Sequence, residues 1–350
     1  MSDGKPAAFA EKYSREHPIY VQHAVLAQEF LLRRLLEQGM PVQAVTARAK
    51  EPQSVREKLR RKHYENPETD LTDLVGARII TYYSDEVDKI SGYVRSILGT
   101  VDSERSGDKR DNLTASQFGY RSVHIIGTLP ESELAMAKLP TEPPVYVEIQ
   151  IRTLLEHAWA QVEHEVVYKS GVVYDEQFRR RVYAVASTLE ILDRELENLR
   201  DAKYRLVDTY IAAYRAHMSL EQDLDSARLA AAFEVVMPQA PGWRSDAAPS
   251  AAKTHHSDAL CVEILQAAGV RSVSELIVLV RSARAAEIFA KYAAEAGCAS
   301  TEVPHYYAAL LVAAIAKSEV VADFKGAFTS AVLAVLTSDD ESESESNEME

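Results

Sequence analysis

Apolar residues recur along the chain with two different periods. Three stretches alternate apolar and polar residues, or are short and rich in β-branched and aromatic residues, and these predict strands at 74–83, 120–129 and 145–153. Other stretches repeat apolar residues at helical spacing, and these predict helices within 8–45, from about Pro52, at 85–98 and from residue 154 onward. Helices mixed with strands in this order predict an α/β (α+β) core with helices packed on a modest sheet.

The second half of the chain shows helical patterns only. We divide the chain into N-terminal helices (1–45), a core (46–174), a long helical region (175–236), a linker rich in Pro, Ala and Ser (237–258), a helical accessory domain (259–337) and an acidic tail (338–350). An apolar stripe runs from Val182 to Leu199, so this helix needs a partner surface. We expect the tail to be disordered, because it carries seven acids and no base.

Composition places few limits on function but excludes some classes. The 350 residues are 47% hydrophobic and 26% charged, as in ordinary globular proteins. We find no apolar run long enough for a membrane span and no signal peptide, and therefore expect a cytoplasmic protein that does not bind a membrane. Cys261 and Cys298 lack a CxxC spacing, which argues against zinc.

Charge is distributed unevenly in this acidic chain. The net charge is −14, yet seven cations stand against two acids between Arg48 and Lys62. Ser54, Lys58 and Arg61 fall on one face of the predicted helix, which suits a triphosphate ligand. A solvated basic helix face is the alternative. The chain has no GxxxxGK[ST] loop, so side chains rather than a glycine-rich loop would hold a nucleotide here.

Polar groups also line the predicted strands. Glu148, Gln150 and Arg152 alternate with apolar residues, so they form either a solvated surface or one side of a polar site. Asp73 precedes a strand that carries Arg78, a pair that could hold Mg²⁺ and the phosphates it bridges. Asp73 could equally be a turn residue.

The stretch "FGYRSVH" places three polar side chains on one face of a strand. They are those of Tyr120, Ser122 and His124. A tyrosine in this position can stack on a nucleobase, and the histidine could bond the same ligand. The alternative is a buried pair with satisfied hydrogen bonds.

Taken in order, these motifs have a known counterpart. A basic R-x-K-x3-S-x3-K-x2-R run, then D-x2-G-x-R, G-Y-R-S-x-H and E-I-Q-I-R-T before a W-A-x2-E-H helix, resembles the synthetase domain of the RelA/SpoT alarmone synthetases over about residues 20–200. The resemblance implies a nucleotidyltransferase-like mixed sheet flanked by helices. It also implies transfer of the β,γ-pyrophosphate of ATP to the 3′-hydroxyl of GDP or GTP, making (p)ppGpp, with AMP leaving.

The resemblance assigns roles to individual residues. It implies that the ATP phosphates are bound by Arg48, Lys50, Ser54, Lys58, Arg61 and Arg78. Asp73 would ligate Mg²⁺, and Glu148 would assist the metal and take the proton of the attacking hydroxyl. Tyr120 would stack on the acceptor guanine, His124 would lie near its sugar and phosphates, and Gln150 would orient it.

Two departures from the family pattern concern the acceptor. Gln117-Phe118-Gly119 stands where many members have Pro-Asn-Gly, and His157 stands where an amide or acid is common. "FGY" variants resemble a subgroup with toxic relatives that use adenine nucleotides or the 3′ end of tRNA. Cations that could hold the 5′-phosphates of a free guanine nucleotide favour GDP or GTP; they are Arg105, Lys109 and Arg110. A non-catalytic nucleotide-binding regulator is a further alternative, and the resemblance implies a homo-oligomer assembled through helices.

Overall fold

A computed structural model describes residues 4–62, 64–108, 122–163, 165, 175–236 and 258–295. It separates into two compact units, Met1–Leu199 and Arg200–Glu350. Among these described residues no helix is both long and apolar enough to cross a membrane. The predicted linker before Asp258 and the acidic tail lie outside them.

The first unit contains six strands and most of the helices. The strands are β1 Ala44–Ala49, β2 Val75–Thr81, β3 Thr100–Val101, β4 Gly107–Asp108, β5 Val123–Thr128 and β6 Tyr146–Thr153. The helices are α1 Gly4–Glu37, α2 Pro52–Arg61, α3 Pro67–Asp70, α4 Ser84–Ile97, α5 Glu131–Met136, α6 Leu154–Glu163 and α7 Glu176–Arg215, the last of which continues into the second unit. The strands predicted at 74–83, 120–129 and 145–153 are confirmed.

The six strands form one mixed sheet in the order β1-β2-β6-β5-β3, with β4 also paired to β5. Strands β2 and β6 run parallel, and the other pairs are antiparallel. The predicted mixed sheet flanked by helices is thus confirmed. Its register places Gly76 beside both Arg48 and Glu148, and Gln150 beside both Arg78 and His124.

One face of the sheet is apolar and covered by helices. Its side chains include Val75, Ile79, Val123, Ile125, Val147, Ile149 and Ile151, all buried. They share one core cluster with Leu31 and Leu35 of α1 and Ile90 and Val94 of α4. Because strand side chains alternate between faces, burying this row directs the intervening polar residues to the opposite face.

The structure corrects the prediction in two places. The segment from residue 44 belongs to the sheet as β1, rather than closing the N-terminal helices at residue 45. Residues 100–108, where the pattern predicts neither a helix nor a strand, contribute the short strands β3 and β4, which both pair with β5. Two-residue strands have too little sequence for an alternating pattern, so periodicity could not reveal them.

Helix α7 is tied to the end of the sheet by polar contacts. Thr153 Oγ1 donates to Asp193 Oδ2 at 2.7 Å in buried surroundings. Ser84 Oγ, at the start of α4, donates to Glu197 Oε2 at 2.5 Å. Much of the apolar stripe on this helix remains exposed, including Leu192, Leu196 and Leu199.

The described part of the second unit is mainly helical, as predicted for this region. Its described residues include the end of α7 and four further helices, α8 Ser226–Val236, α9 Asp258–Ala267, α10 Val273–Val280 and α11 Ala283–Glu295. Its own core includes Phe233, Cys261, Ile264, Leu265 and Leu276. Cys261 is a buried free cysteine.

Candidate active site

The polar face of the sheet carries the predicted site residues of four strands. We use "polar face" for the side chains of Arg48, Arg78, His124, Glu148, Gln150 and Arg152. Gly76 lies between Arg48 and Glu148 in the register, and a Cβ atom added there would meet no atom within 4 Å. The polar face is therefore open at its centre, where a ligand could approach the backbone between a cation and a carboxylate.

Glu148 takes part in a hydrogen-bonded chain across β6 and β5. Its Oε1 atom lies 2.9 Å from His124 Nδ1 and accepts a 3.2 Å hydrogen bond from Gln150 Nε2. His124 Nε2 in turn lies 2.6 Å from Ser122 Oγ. These contacts position the carboxylate of Glu148, whose side chain remains 19% exposed and so reachable by a ligand.

A second carboxylate lies just before β2 and binds two lysines. Asp73 Oδ2 accepts hydrogen bonds from Lys50 Nζ and, at 2.7 Å, from Lys58 Nζ. Burial alone would raise the pKa of Asp73, but the hydrogen bonds and charges of the two lysines outweigh it and hold that pKa below its ordinary value. Asp73 is therefore a carboxylate at neutral pH.

Lys50 is held in place by its backbone. Its N–H donates to Leu74 O at 2.8 Å, and its carbonyl accepts a 2.5 Å hydrogen bond from the hydroxyl of Tyr13 on α1. Tyr13 is buried, and burial raises the pKa of its phenol. The N-terminal helix thus fixes the segment from which Lys50 reaches Asp73.

Three further basic side chains lie at the α6 end of the polar face. Burial lowers the pKa of Arg78, with a further contribution from Arg48. Burial likewise lowers the pKa of Arg152, with Arg78 contributing next. The pKa of His157, on α6, is lowered by burial first and then by Arg152 and Arg78. The charges of Arg78 and Arg152 therefore disfavour protonation of His157, and they leave a positive field beside Glu148.

The remaining predicted site residues take no part in the contacts described above. Ser54 and Arg61 are exposed on α2, where only the neighbouring Lys58 contacts Asp73. Arg105 donates to the carbonyl of Thr69 at 2.6 Å and lies 3.5 Å from Asp102. Three residues predicted to meet the acceptor lie outside the described residues, and they are Tyr120, Lys109 and Arg110.

The carboxylates fit a magnesium ion that is shared with a nucleotide. Asp73 Oδ1 is buried and has no hydrogen-bond partner in the part of the chain that the structure describes. No group of three His, Cys, Asp or Glu side chains within those residues could hold a metal alone. Mg²⁺ commonly takes one or two carboxylates together with substrate phosphates, so Asp73 and Glu148 are of the donor type that this ion prefers.

Comparison with known proteins identifies the family. A model described as the region found in RelA / SpoT proteins matches residues 47–172. GTP pyrophosphokinase YjbM of Bacillus subtilis is 31% identical over 162 residues, which cover 46% of this chain and 72% of that protein. The chain belongs to the RelA/SpoT family. GTP pyrophosphokinase YwaC, also of B. subtilis, is 24% identical over 205 residues, covering 57% of this chain and 91% of that one.

Solved structures of small alarmone synthetases are also similar to this chain. Small alarmone synthetase 1 of B. subtilis, bound to its product pppGpp, is 28% identical, with a TM-score of 0.45, and the match covers 55% of this chain and 98% of that one. The RelA/SpoT match spans β1 to the segment after α6 and leaves the second unit outside.

Some of the site residues had no signal in the sequence. Tyr13 is one aromatic residue in an amphipathic helix, and nothing local indicates that its hydroxyl binds Lys50. Strand alternation placed Ser122 and His124 on one face, but the contact of His124 with Glu148 depends on the register of β5 against β6. A register between strands distant in sequence is not set by either strand alone.

Proposed function

We propose that this RelA/SpoT-family protein is an ATP:nucleotide 3′-pyrophosphotransferase that uses GDP or GTP as acceptor. The observation that carries the proposal is the register that places Arg48, Gly76 and Glu148 side by side on three strands. A cation for the donor phosphates and a carboxylate for the acceptor hydroxyl then flank one open position. Relatives named GTP pyrophosphokinase support the same reaction.

In the proposed reaction the cations hold the donor and Glu148 activates the acceptor. Arg48, Lys50, Lys58 and Arg78 bind the phosphates of ATP, with Ser54 and Arg61 on the outer side of α2. Glu148 accepts the proton of the acceptor 3′-hydroxyl while the oxygen of that hydroxyl forms a bond to the β-phosphorus of ATP. The bond from that phosphorus to the α,β-bridging oxygen breaks, and AMP leaves. Phosphoryl-type transfer depends on alignment and charge neutralisation, and these residues supply both.

We propose that the lysine pair on Asp73 couples binding of the donor to binding of a metal. Mg²⁺, when bound, would neutralise charge on the transferred phosphates, and Asp73 and Glu148 are the residues that would hold it. Lys50 and Lys58 both bind Oδ2 of the Asp73 carboxylate. In our proposal they turn from Asp73 to the ATP phosphates when the donor binds, which exposes the Asp73 carboxylate to the metal.

His124 and Gln150 would meet the acceptor beside Glu148. Both bond to Glu148 Oε1, so an acceptor held by them has its hydroxyl near the base. Tyr120 would stack on the guanine, with Arg105 and Lys109 toward its 5′-phosphates. A free nucleotide suits an acidic chain better than tRNA does, because broad phosphate contact needs a basic surface.

Labelled ATP tests the proposal directly. The protein is incubated with Mg²⁺ and ATP labelled at the γ-phosphate, in separate reactions with GDP, GTP, excess unlabelled ATP and deacylated tRNA. We expect the label on GDP and GTP with release of AMP. Label on tRNA, or on a new pyrophosphorylated adenine nucleotide distinct from ATP, would identify one of the alternative acceptors and overturn the guanine proposal. No transfer to any acceptor, with ATP still bound, would favour a non-catalytic regulator.

A further inference from the structure

Arg152 and His157, at the α6 end of the polar face, each have one buried nitrogen atom without a hydrogen-bond partner among the described residues. Arg152 is only 7% exposed. One of its terminal nitrogens donates to Gln150 Oε1, while its Nε has no hydrogen-bond partner in the part of the chain that the structure describes. The same holds for the buried Nδ1 atom of His157. A buried donor without an acceptor is unfavourable unless a ligand completes it.

The surroundings of the pair favour an anion as that ligand. Arg78 pairs in register with Gln150, to which Arg152 bonds, and its charge contributes to lowering the pKa of both Arg152 and His157. The N–H groups of Thr153 and Glu156 at the start of α6 do not bind this anion, because they already have acceptors. Thr153 N–H donates to Glu156 Oε2 at 2.7 Å, and Glu156 N–H donates to Thr153 Oγ1 at 3.1 Å. The unmet hydrogen-bonding capacity therefore belongs to the side chains of Arg152 and His157.

We infer that Arg152 and His157, together with Arg78, form a phosphate-binding subsite that extends the polar face toward α6. Its ligand is a phosphate group of a bound nucleotide, since Arg78 connects the pair to the cations around the donor phosphates. The guanidinium of Arg152 donates to the phosphate through Nε. The imidazole of His157 donates to it when Nδ1 carries a hydrogen, either in one neutral tautomer or in the protonated ring. The inference rests on the proposed function only in taking that phosphate to belong to a nucleotide.

Substitution of His157 tests the subsite with little risk to the fold, because this residue is half-buried on the edge of the site. His157→Asp places a carboxylate against Arg152 and Arg78 and competes with the phosphate. His157→Asn removes the imidazole without adding charge. Gln161→Asp is the matched control, since it adds the same charge at an exposed position one turn further along α6.

Calorimetric titrations of the full chain give affinities without requiring catalysis. The ligands are inorganic pyrophosphate, a non-hydrolysable ATP analogue and GDP, and melting temperatures confirm that each variant is folded. We expect His157→Asp to weaken at least one nucleotide about 10- to 100-fold, His157→Asn to weaken the same ligand less, and Gln161→Asp to match the wild type. A loss confined to the ATP analogue assigns the phosphate to the donor, and a loss confined to GDP assigns it to the acceptor.

Two results would overturn the subsite. One is wild-type affinity for all three ligands in both His157 variants, and the other is an equal loss in Gln161→Asp, which would indicate a general charge effect. Failure of the proposed function has a different signature. The titrations would still depend on His157, while labelled ATP gave no pyrophosphate transfer.

Discussion

His124 Nδ1 lies 2.9 Å from Glu148 Oε1, and the other nitrogen of the same imidazole lies 2.6 Å from Ser122 Oγ. The imidazole is thus held at both ends, between a neighbour on its own strand and the proposed base on the next. With Nδ1–H donating to the carboxylate, Nε2 accepts from the hydroxyl of Ser122. Ser122 therefore acts on Glu148 through His124.

Ser122→Ala should lower kcat and leave the KM for ATP unchanged. The lost contact is worth about 0.5–1.5 kcal/mol, which corresponds to a fall of about 2- to 12-fold. Ser122→Thr keeps the hydroxyl and should restore most of the rate. Steady-state kinetics with ATP and GDP varied separately make the comparison. A Thr variant as slow as the Ala variant would show that the hydroxyl contact is not what matters.

Lys58→Ala and Arg61→Ala should each raise the KM for ATP more than the KM for the acceptor. Each change removes a charge-assisted contact to phosphate, worth about 1.5–3 kcal/mol. Arg60→Ala is the control, because Arg60 is an exposed cation on the same helix without an assigned role. Equal losses in all three variants would mean that the charge of α2 as a whole is responsible.

Acid should reduce the contribution of Asp73 to stability. Its folded pKa lies below the ordinary value of about 3.8, because two lysines outweigh the effect of burial. A lowered carboxyl pKa stabilises the fold above the unfolded value, and that stabilisation is lost as pH falls through the folded value. The stability advantage of wild type over Asp73→Asn should therefore shrink below about pH 4.

Urea denaturation of both proteins between pH 6 and pH 2.5 measures this difference. The slopes of unfolding free energy against pH should differ by up to one proton, or about 1.4 kcal/mol per pH unit. An advantage that stays constant over the whole range would show that Asp73 does not titrate with a shifted pKa.

Homo-oligomerisation stays a prediction, and the exposed stripe of α7 makes it testable. Leu192 and Leu196 are 46% and 42% exposed in the single chain. Glutamate at both positions should reduce the mass seen by light scattering, since a self-complementary apolar patch cannot bury these charges. Val278→Glu, at a 70% exposed position in the second unit, is the control and should leave the mass unchanged. An unaltered mass in the double variant would exclude this stripe as an interface.

Strand alternation predicted that Glu148 and Gln150 share one face of the sheet, because burying Val147, Ile149 and Ile151 leaves them no other face. The contact between Glu148 and His124 could not be predicted in the same way, since it depends on which residues of β5 and β6 pair. The two bonds of Asp73 to lysines arise similarly, where three separate segments meet.

The first strand shows a different limit of the sequence. Ala44–Ala49 has few of the bulky β-branched residues typical of strands, and its exposed Arg48 favoured a basic extended segment over a sheet element. Pairing with β2, together with the helix α1 packed against it, determines its conformation. Tertiary contacts thus outweigh local propensity at the position that brings Arg48 beside Gly76.

The role of Glu148 is the centre of the account, and Glu148→Gln tests it most directly. Product is measured from labelled ATP and GDP, and binding of a non-hydrolysable ATP analogue is measured in parallel. The amide keeps the shape of the side chain but cannot accept the proton, and loss of a positioned base costs about 10² to 10⁴ in rate. We predict a fall in transfer of this size with nearly unchanged affinity for the analogue. Transfer by Glu148→Gln at close to the wild-type rate would contradict the assignment of Glu148 as the base.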